Sequence, residues 1–262
     1  MKKNLSYSVL AISTMVTLIF PGCRKAFDYV EDHPTATLPF CSIKEFRYDG
    51  EFAVNETIAF TYNALGDPVT VTRDATSTGS PDFLFKYDKK HRLSDLIGAY
   101  SIVEVLGVEE WHRYFYDHHD RIISDSFYFF PTIVNGRPTK GKFGSIIIIT
   151  YEYDSKNRIN RSSAYYEESP DPNVPFSTDT YSYDAKGNLV GPAAYDNKIN
   201  LHRTNKIWMF LGKDYSVNNP VTGSLEYNVF GLPTKISVAD GMPGAFFWDF
   251  YYTDADIKYS CR

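Results

Sequence analysis

Residues 87–93 read Tyr87-Asp88-Lys89-Lys90-His91-Arg92-Leu93, and the outline of this stretch recurs along the chain. Each copy opens on Asp or Asn, passes two free residues, and reaches a residue that tolerates positive φ. The other copies are Asn63-Ala64-Leu65-Gly66, Asp117-His118-His119-Asp120, Asp154-Ser155-Lys156-Asn157, Asp184-Ala185-Lys186-Gly187 and Asn228-Val229-Phe230-Gly231. A tyrosine precedes every one: Tyr62, Tyr87, Tyr116, Tyr153, Tyr183 and Tyr227. Asp and Asn suit the first place of a type I turn because their side chains bond backbone amides further on. Gly, His, Asp and Asn in the fourth place are the types enriched at left-handed φ. A type I turn followed by one left-handed residue is the three-residue hairpin with a bulge. The copies therefore predict hairpin tips at 63–66, 88–91, 117–120, 154–157, 184–187 and 228–231.

The flanks agree. Phe60-Thr61-Tyr62 alternates into the first tip and Val69-Thr70-Val71-Thr72 out of it. Phe83, Phe85 and Tyr87 share a period of two, as do Tyr114 and Tyr116, and Thr234 to Val238 alternates after the last tip. Period two in aromatic and β-branched residues marks half-buried strands. The tyrosines lie 25, 29, 37, 30 and 44 residues apart, too uneven for a strict solenoid. The predicted fold is all-β: a single curled antiparallel sheet, barrel-like or half-shell, of roughly a dozen strands or more. A β-sandwich is the alternative.

Tyr-Asp-x-x-Gly/Asn-Arg/Asn-Leu/Ile is similar to the YD repeats of RHS-type proteins. The closest copies run Tyr87–Leu93, Tyr116–Ile122, Tyr153–Ile159 and Tyr183–Leu189, and the likeness extends loosely over residues 43–252. The resemblance implies a long curling antiparallel sheet. The chain also resembles Bacteroidetes-type lipoproteins with YD-like hairpins.

The N-terminus reads as an export signal. Lys2 and Lys3 are a basic start, Leu5–Phe20 is apolar, and Gly22-Cys23 follows. That apolar stretch is short for a spanning helix. The order resembles a lipoprotein signal, which implies removal of residues 1–22 and acylation of Cys23; an ordinary secretory signal is the alternative. Residues 23–42, with Pro34 and Pro39, read as a tether, and 43–262 as one β domain. The expected partner is the lipid bilayer through Cys23, with an outer-membrane, periplasm-facing location, since Arg24 and Lys25 follow the cysteine rather than an acidic run. Without Lys2 and Lys3 there remain 25 basic against 32 acidic residues, an acidic balance that argues against nucleic acid.

Cys41 and Cys261 are the other two cysteines. An even pair in an oxidising compartment suggests a disulfide tying the first strand to the last, with sheet closure as its companion; two buried thiols is the alternative. Ser145–Thr150 reads as a strand buried on both faces or at least covered. Asn135-Gly136 marks a polar hairpin tip within 131–144, and 168–178, with three prolines, reads as irregular. Residues 191–224 read as a long excursion with one helical turn, packed over the sheet.

Chemistry-bearing motifs are sparse. Trp111-His112 with Asp117-His118-His119-Asp120 has ligand-type residues, but 117–120 is a repeat turn, so these residues read as solvated and no metal or other cofactor is expected. Glu109-Glu110, Glu167-Glu168, Asp254 and Asp256 are sequence neighbours that strands point apart, not a facing glycosidase pair. The chain carries 21 Tyr, 19 Phe and 3 Trp. Most serve a core; if sugars bind, Trp111, Trp208 and Trp248 are the candidate stacking residues. The expected function is a non-catalytic, envelope-tethered binding or structural role toward a glycan or envelope protein. A carbohydrate-processing accessory or envelope hydrolase is the alternative.

Overall fold

The computed structural model describes residues 29, 30, 32–38, 41–49, 56–102, 106–169, 171, 173–192, 194–221, 223–238, 244–248, 250–252 and 254–261. The expected signal peptide and Cys23 lie outside them. β1 (Cys41–Asp49) is followed by three hairpins: β2 (Glu56–Tyr62) with β3 (Pro68–Arg73), β4 (Asp82–Tyr87) with β5 (Leu93–Ser101), and β6 (Leu106–Tyr116) with β7 (Ile122–Phe129). A small outlying hairpin, β8 (Thr132–Val134) and β9 (Arg137–Thr139), precedes β10 (Ser145–Tyr153), β11 (Ile159–Tyr166) and β12 (Ser177–Thr180). The excursion holds β13 (Tyr195–Ile199), a 3-10 turn at Leu201–Thr204, the helix α1 (Lys206–Gly212) and β14 (Asn218–Pro220). Then come β15 (Gly223–Tyr227), β16 (Pro233–Val238), β17 (Gly244–Phe247), β18 (Phe250–Tyr252) and β19 (Asp254–Cys261).

All six predicted tips are turns. Their fourth residues, Gly66, His91, Asp120, Asn157, Gly187 and Gly231, all have φ between 58° and 85°. In each, the Asx Oδ1 accepts two backbone amides, as Asp88 does from Lys90 at 2.8 Å and Arg92 at 3.0 Å. The pairing slips by one residue just before each tyrosine that closes a ladder, as between Lys86 and Tyr87, so Tyr87 faces Leu93. That slip is the bulge the turn type brings with it. The fifth copy makes only the single bridge Tyr183↔Leu189, off the main sheet.

Thirteen strands form one antiparallel sheet in the order β12-β11-β10-β7-β6-β5-β4-β3-β2-β1-β19-β16-β15. One face is lined by Ile43, Phe46, Ile58, Phe60, Val71 and Phe85, and α1 packs on it. The helix exists locally because Asn205 caps it, accepting from the Ile207 amide at 2.8 Å, and because left-handed Lys213 ends it. Its residues Ile207 to Phe210 are all buried, as an apolar helix requires. Trp208 stands 5.7 Å from Phe60 of β2, and Phe210 stands 5.2 Å from Tyr151 of β10. Six strand spacings separate β2 from β10, about 29 Å if flat, whereas seven helical residues span about 10 Å. One short helix reaches both because the sheet curls around it.

Cys41 and Cys261 are joined in a disulfide with Cα atoms 4.0 Å apart, and β1 pairs β19 along its length. Sheet closure does not accompany the bond. β19 also pairs β16, so the terminal strands meet inside the sheet, and β12 and β15 remain as edges. β12 is four exposed polar residues, a device that blunts an edge. Two further expectations are revised. Ser145–Thr150 is only half-buried. Part of the expected tether packs: Val30 and Leu38 are buried with Ile199 and Val217, and the Leu38 amide donates to the Arg203 carbonyl at 2.8 Å.

Candidate functional site

Within each central repeat, the residue four beyond the turn Asp is arginine, and it clamps that Asp. Arg92 meets Asp88, Arg121 meets Asp117 and Arg158 meets Asp154, each through Nε at 2.8 Å and a second nitrogen at 2.7–2.8 Å. Each guanidinium also lies over the tyrosine of the next repeat: Arg92 over Tyr116 at 4.2 Å, Arg121 over Tyr153 at 5.1 Å, Arg158 over Tyr183 at 3.9 Å. Those contacts are cation–π in geometry. The tyrosine hydroxyls bond backward. Tyr87 donates to the Pro68 carbonyl, Tyr116 to Leu93 and Tyr153 to Ile122, at 2.6–2.7 Å. The repeats are thus stitched side by side at one end of the sheet. Asp117 is held down to about 2, first by the Arg121 amide and then by its guanidinium, against the opposing effect of burial. Burial raises the Tyr116 and Tyr153 phenols well above their ordinary range.

Between this ladder and α1 lies a cavity of about 750 Å³. The third and fourth tips contribute Tyr116, His119, Asp120, Arg121, Tyr153 and Asn157. The helix contributes Lys206, Ile207, Met209 and Phe210, and Tyr215 and Thr35 complete the wall with Arg92. Asn205 Nδ2 donates to the Gly66 carbonyl at 2.9 Å, which seats the helix against the first tip. The floor is apolar and the rim polar, a form suited to small ligands.

The residues singled out in the sequence are not gathered there. Trp208 is 0% exposed, edge-on to Phe60 and Phe85. Trp248 stacks into the same core, 4.5 Å from Phe83 and 6.1 Å from Trp208. Trp111 is 4% exposed, its indole donating to Asp95 at 2.9 Å beneath Lys86. Their rings are spent on packing and form no common sugar platform. The rings of His118 and His119 lie 3.7 Å apart, tilted at 46°, at a tip, while Asp120 pairs with Arg92 at 2.5 Å. Among the described residues no group of three or more metal-ligand side chains converges. Glu109 is buried and accepts from the Gly79 amide, Glu168 meets Lys140, and Asp254 accepts from Ser237.

His112 does find a partner that was not foreseen. Its Nδ1 lies 2.5 Å from Asp125, which is 1% exposed, and Phe127 stacks flat on the imidazole at 4.4 Å. Burial pushes the imidazole down, and the Asp125 bond and charge more than reverse it, so His112 stands above its ordinary value. The Asp-x-x-x-Arg spacing was visible in the sequence; the Asp125 pairing depends on strand register and was not.

No family model matches the chain, and no curated protein matches it. Its fold is similar to part of the Photorhabdus luminescens Tc holotoxin pore, at 12% identity and a TM-score of 0.29, over 71% of this chain and 9% of that one. It is likewise similar to part of the TcdB2-TccC3 structure, at 13% identity and a TM-score of 0.28, over 72% of this chain and 10% of that one. The chain spans about a tenth of the length of these solved chains.

Proposed function

We propose that this chain is an envelope-tethered binding protein of the YD-repeat lipoprotein type, held to the bilayer through acylated Cys23 and facing the periplasm. The cavity between the turn ladder and α1 is its ligand site. The observation that carries the reading is the wall itself: it is braced on one side by paired repeats and on the other by a capped, buried helix, so it is preformed. Its volume lies within the span typical of small-molecule sites. Among the described residues Asp120 is the one carboxylate on that wall, and it is engaged by Arg92. Two opposed carboxylates, as a glycosidase uses, are not brought together there, so binding without turnover is preferred over hydrolysis.

Two measurements test this. Mass spectrometry of the envelope protein is expected to find an acylated N-terminal Cys23, and Cys23→Ser should move the chain to the soluble fraction; an intact Met1 refutes the anchor. A thermal-shift screen of the mature chain with soluble envelope saccharides should raise the melting temperature. Thr35→Trp, an exposed position on the cavity wall, should abolish that rise. A screen with no response, or a response that Thr35→Trp leaves intact, removes the cavity as the binding site.

A further inference from the structure

The cavity's cations are not equivalent. Arg92 is engaged by Asp88 and Asp120, and Arg121 by Asp117. Lys206, the exposed first residue of α1, has no ion pair among the described residues. Among the described residues the wall therefore keeps one positive charge without a counter-ion, on a chain whose formal charge is −5.

A second group on the wall is also unspent. Tyr215 is 6% exposed, and its hydroxyl has no hydrogen-bond partner among the described residues. Buried phenols ordinarily find one. Its neighbours do: the Tyr116 and Tyr153 hydroxyls bond to the Leu93 and Ile122 carbonyls. The Tyr215 hydroxyl is thus a spare donor and acceptor on the cavity wall. Thr35, His119 and Asn157 add further polar groups around an apolar floor of Ile207, Met209 and Phe210.

We infer that the ligand of this cavity is an acidic saccharide whose single carboxylate meets Lys206 and whose hydroxyls meet Tyr215 and the polar rim. This rests on the binding reading of the same cavity. A pyranose offers an apolar C–H face to the floor and a hydroxyl edge to the rim. A fatty acid would satisfy Lys206 but leave Tyr215 and the rim groups facing hydrocarbon, at a desolvation cost. A phosphate would bring up to two charges against one unpaired cation, with Asp120 nearby. A uronic acid matches both the single charge and the hydroxyls.

The probes are D-glucuronate and D-glucose, which differ at C6, titrated by NMR into the mature chain carrying Cys23→Ser. Glucuronate should bind about tenfold more tightly than glucose, the scale of one charged hydrogen bond. Lys206→Gln, at an exposed position, should erase that preference while leaving the melting curve unchanged. Tyr215→Phe should weaken both sugars. Salt at about 0.5 M should narrow the preference, because the Lys206 contact lies at the cavity mouth. Equal binding of the two sugars overturns the acidic assignment and leaves the binding reading standing. So does a preference that survives Lys206→Gln. Absence of glucuronate binding overturns the assignment too, whereas the cavity reading falls if the wider saccharide screen is silent or its response survives Thr35→Trp.

Discussion

At the scale of single residues, the turn aspartates bear more than turn geometry. Asp117 serves two amides with one oxygen and the Arg121 guanidinium with the other. Its carboxyl is depressed to about 2 in the folded chain, below the ordinary unfolded value of about 3.9. A depressed carboxyl contributes stability above the unfolded value and loses it as pH falls through the folded one. Part of the chain's stability should therefore vanish between about pH 4 and pH 2. Asp117→Asn should retain the turn, as Asn63 and Asn228 do in sister copies, and flatten that part of the acid melt. Asp117→Ala should melt lower than either the parent or Asp117→Asn at neutral pH, since two amides lose their acceptor. Circular-dichroism melts across this pH window check both. His91 offers the opposite case. It sits exposed at φ 59°, a conformation that costs L-residues roughly 1–2 kcal/mol. His91→Gly should raise stability by up to about 1 kcal/mol, measured by urea denaturation; a loss would show that its side chain does more than fill a turn.

At the scale of elements, the excursion converts a sheet into a folded body. Trp208, Phe247 and Phe60 meet at the centre, with Trp208 also edge-on to Phe85. Trp208→Ala should cost about 3–5 kcal/mol in chemical denaturation. Trp208→Phe should cost much less, because a phenyl ring keeps most of the aromatic contacts with Phe60, Phe85 and Phe247. The tips were legible in the sequence because every bond that defines them spans four residues or fewer. The excursion was legible only as a break in alternation. Its helix has a readable cap at Asn205, but which sheet residues it covers depends on contacts more than a hundred residues away, such as Phe60 with Trp208. The cavity was hidden for the same reason: its walls come from three tips, a helix and Thr35. The tryptophans misled because residue type cannot tell a stacking face from a core ring; burial decides it.

At the scale of the whole molecule, the terminal strands lie side by side in the sheet interior. The Cys41–Cys261 bond closes a span of 220 residues, for which chain entropy sets an upper stabilisation of roughly 5 kcal/mol. The double variant Cys41→Ser with Cys261→Ser should melt lower by a substantial part of that, and reductant should do the same to the parent chain. Neither should dissolve the sheet's centre, where β4 to β7 pair through local hairpins. Local pairing was foreseeable from the tips. The insertion of β19 between β1 and β16 was not, because no turn links those strands and only long-range register sets the order.

That insertion also imposes a schedule. β1 is made first, yet until the final strand emerges its far side is an open row of amides and carbonyls facing water. The same holds for β16. Until Asp254–Cys261 is made, β1 keeps an unpaired edge, and β16 adds a second as soon as it forms; that one segment joins both. Loss of that segment after β16 has formed yields not a slightly shorter protein but two half-sheets with adhesive margins, prone to pair with strangers.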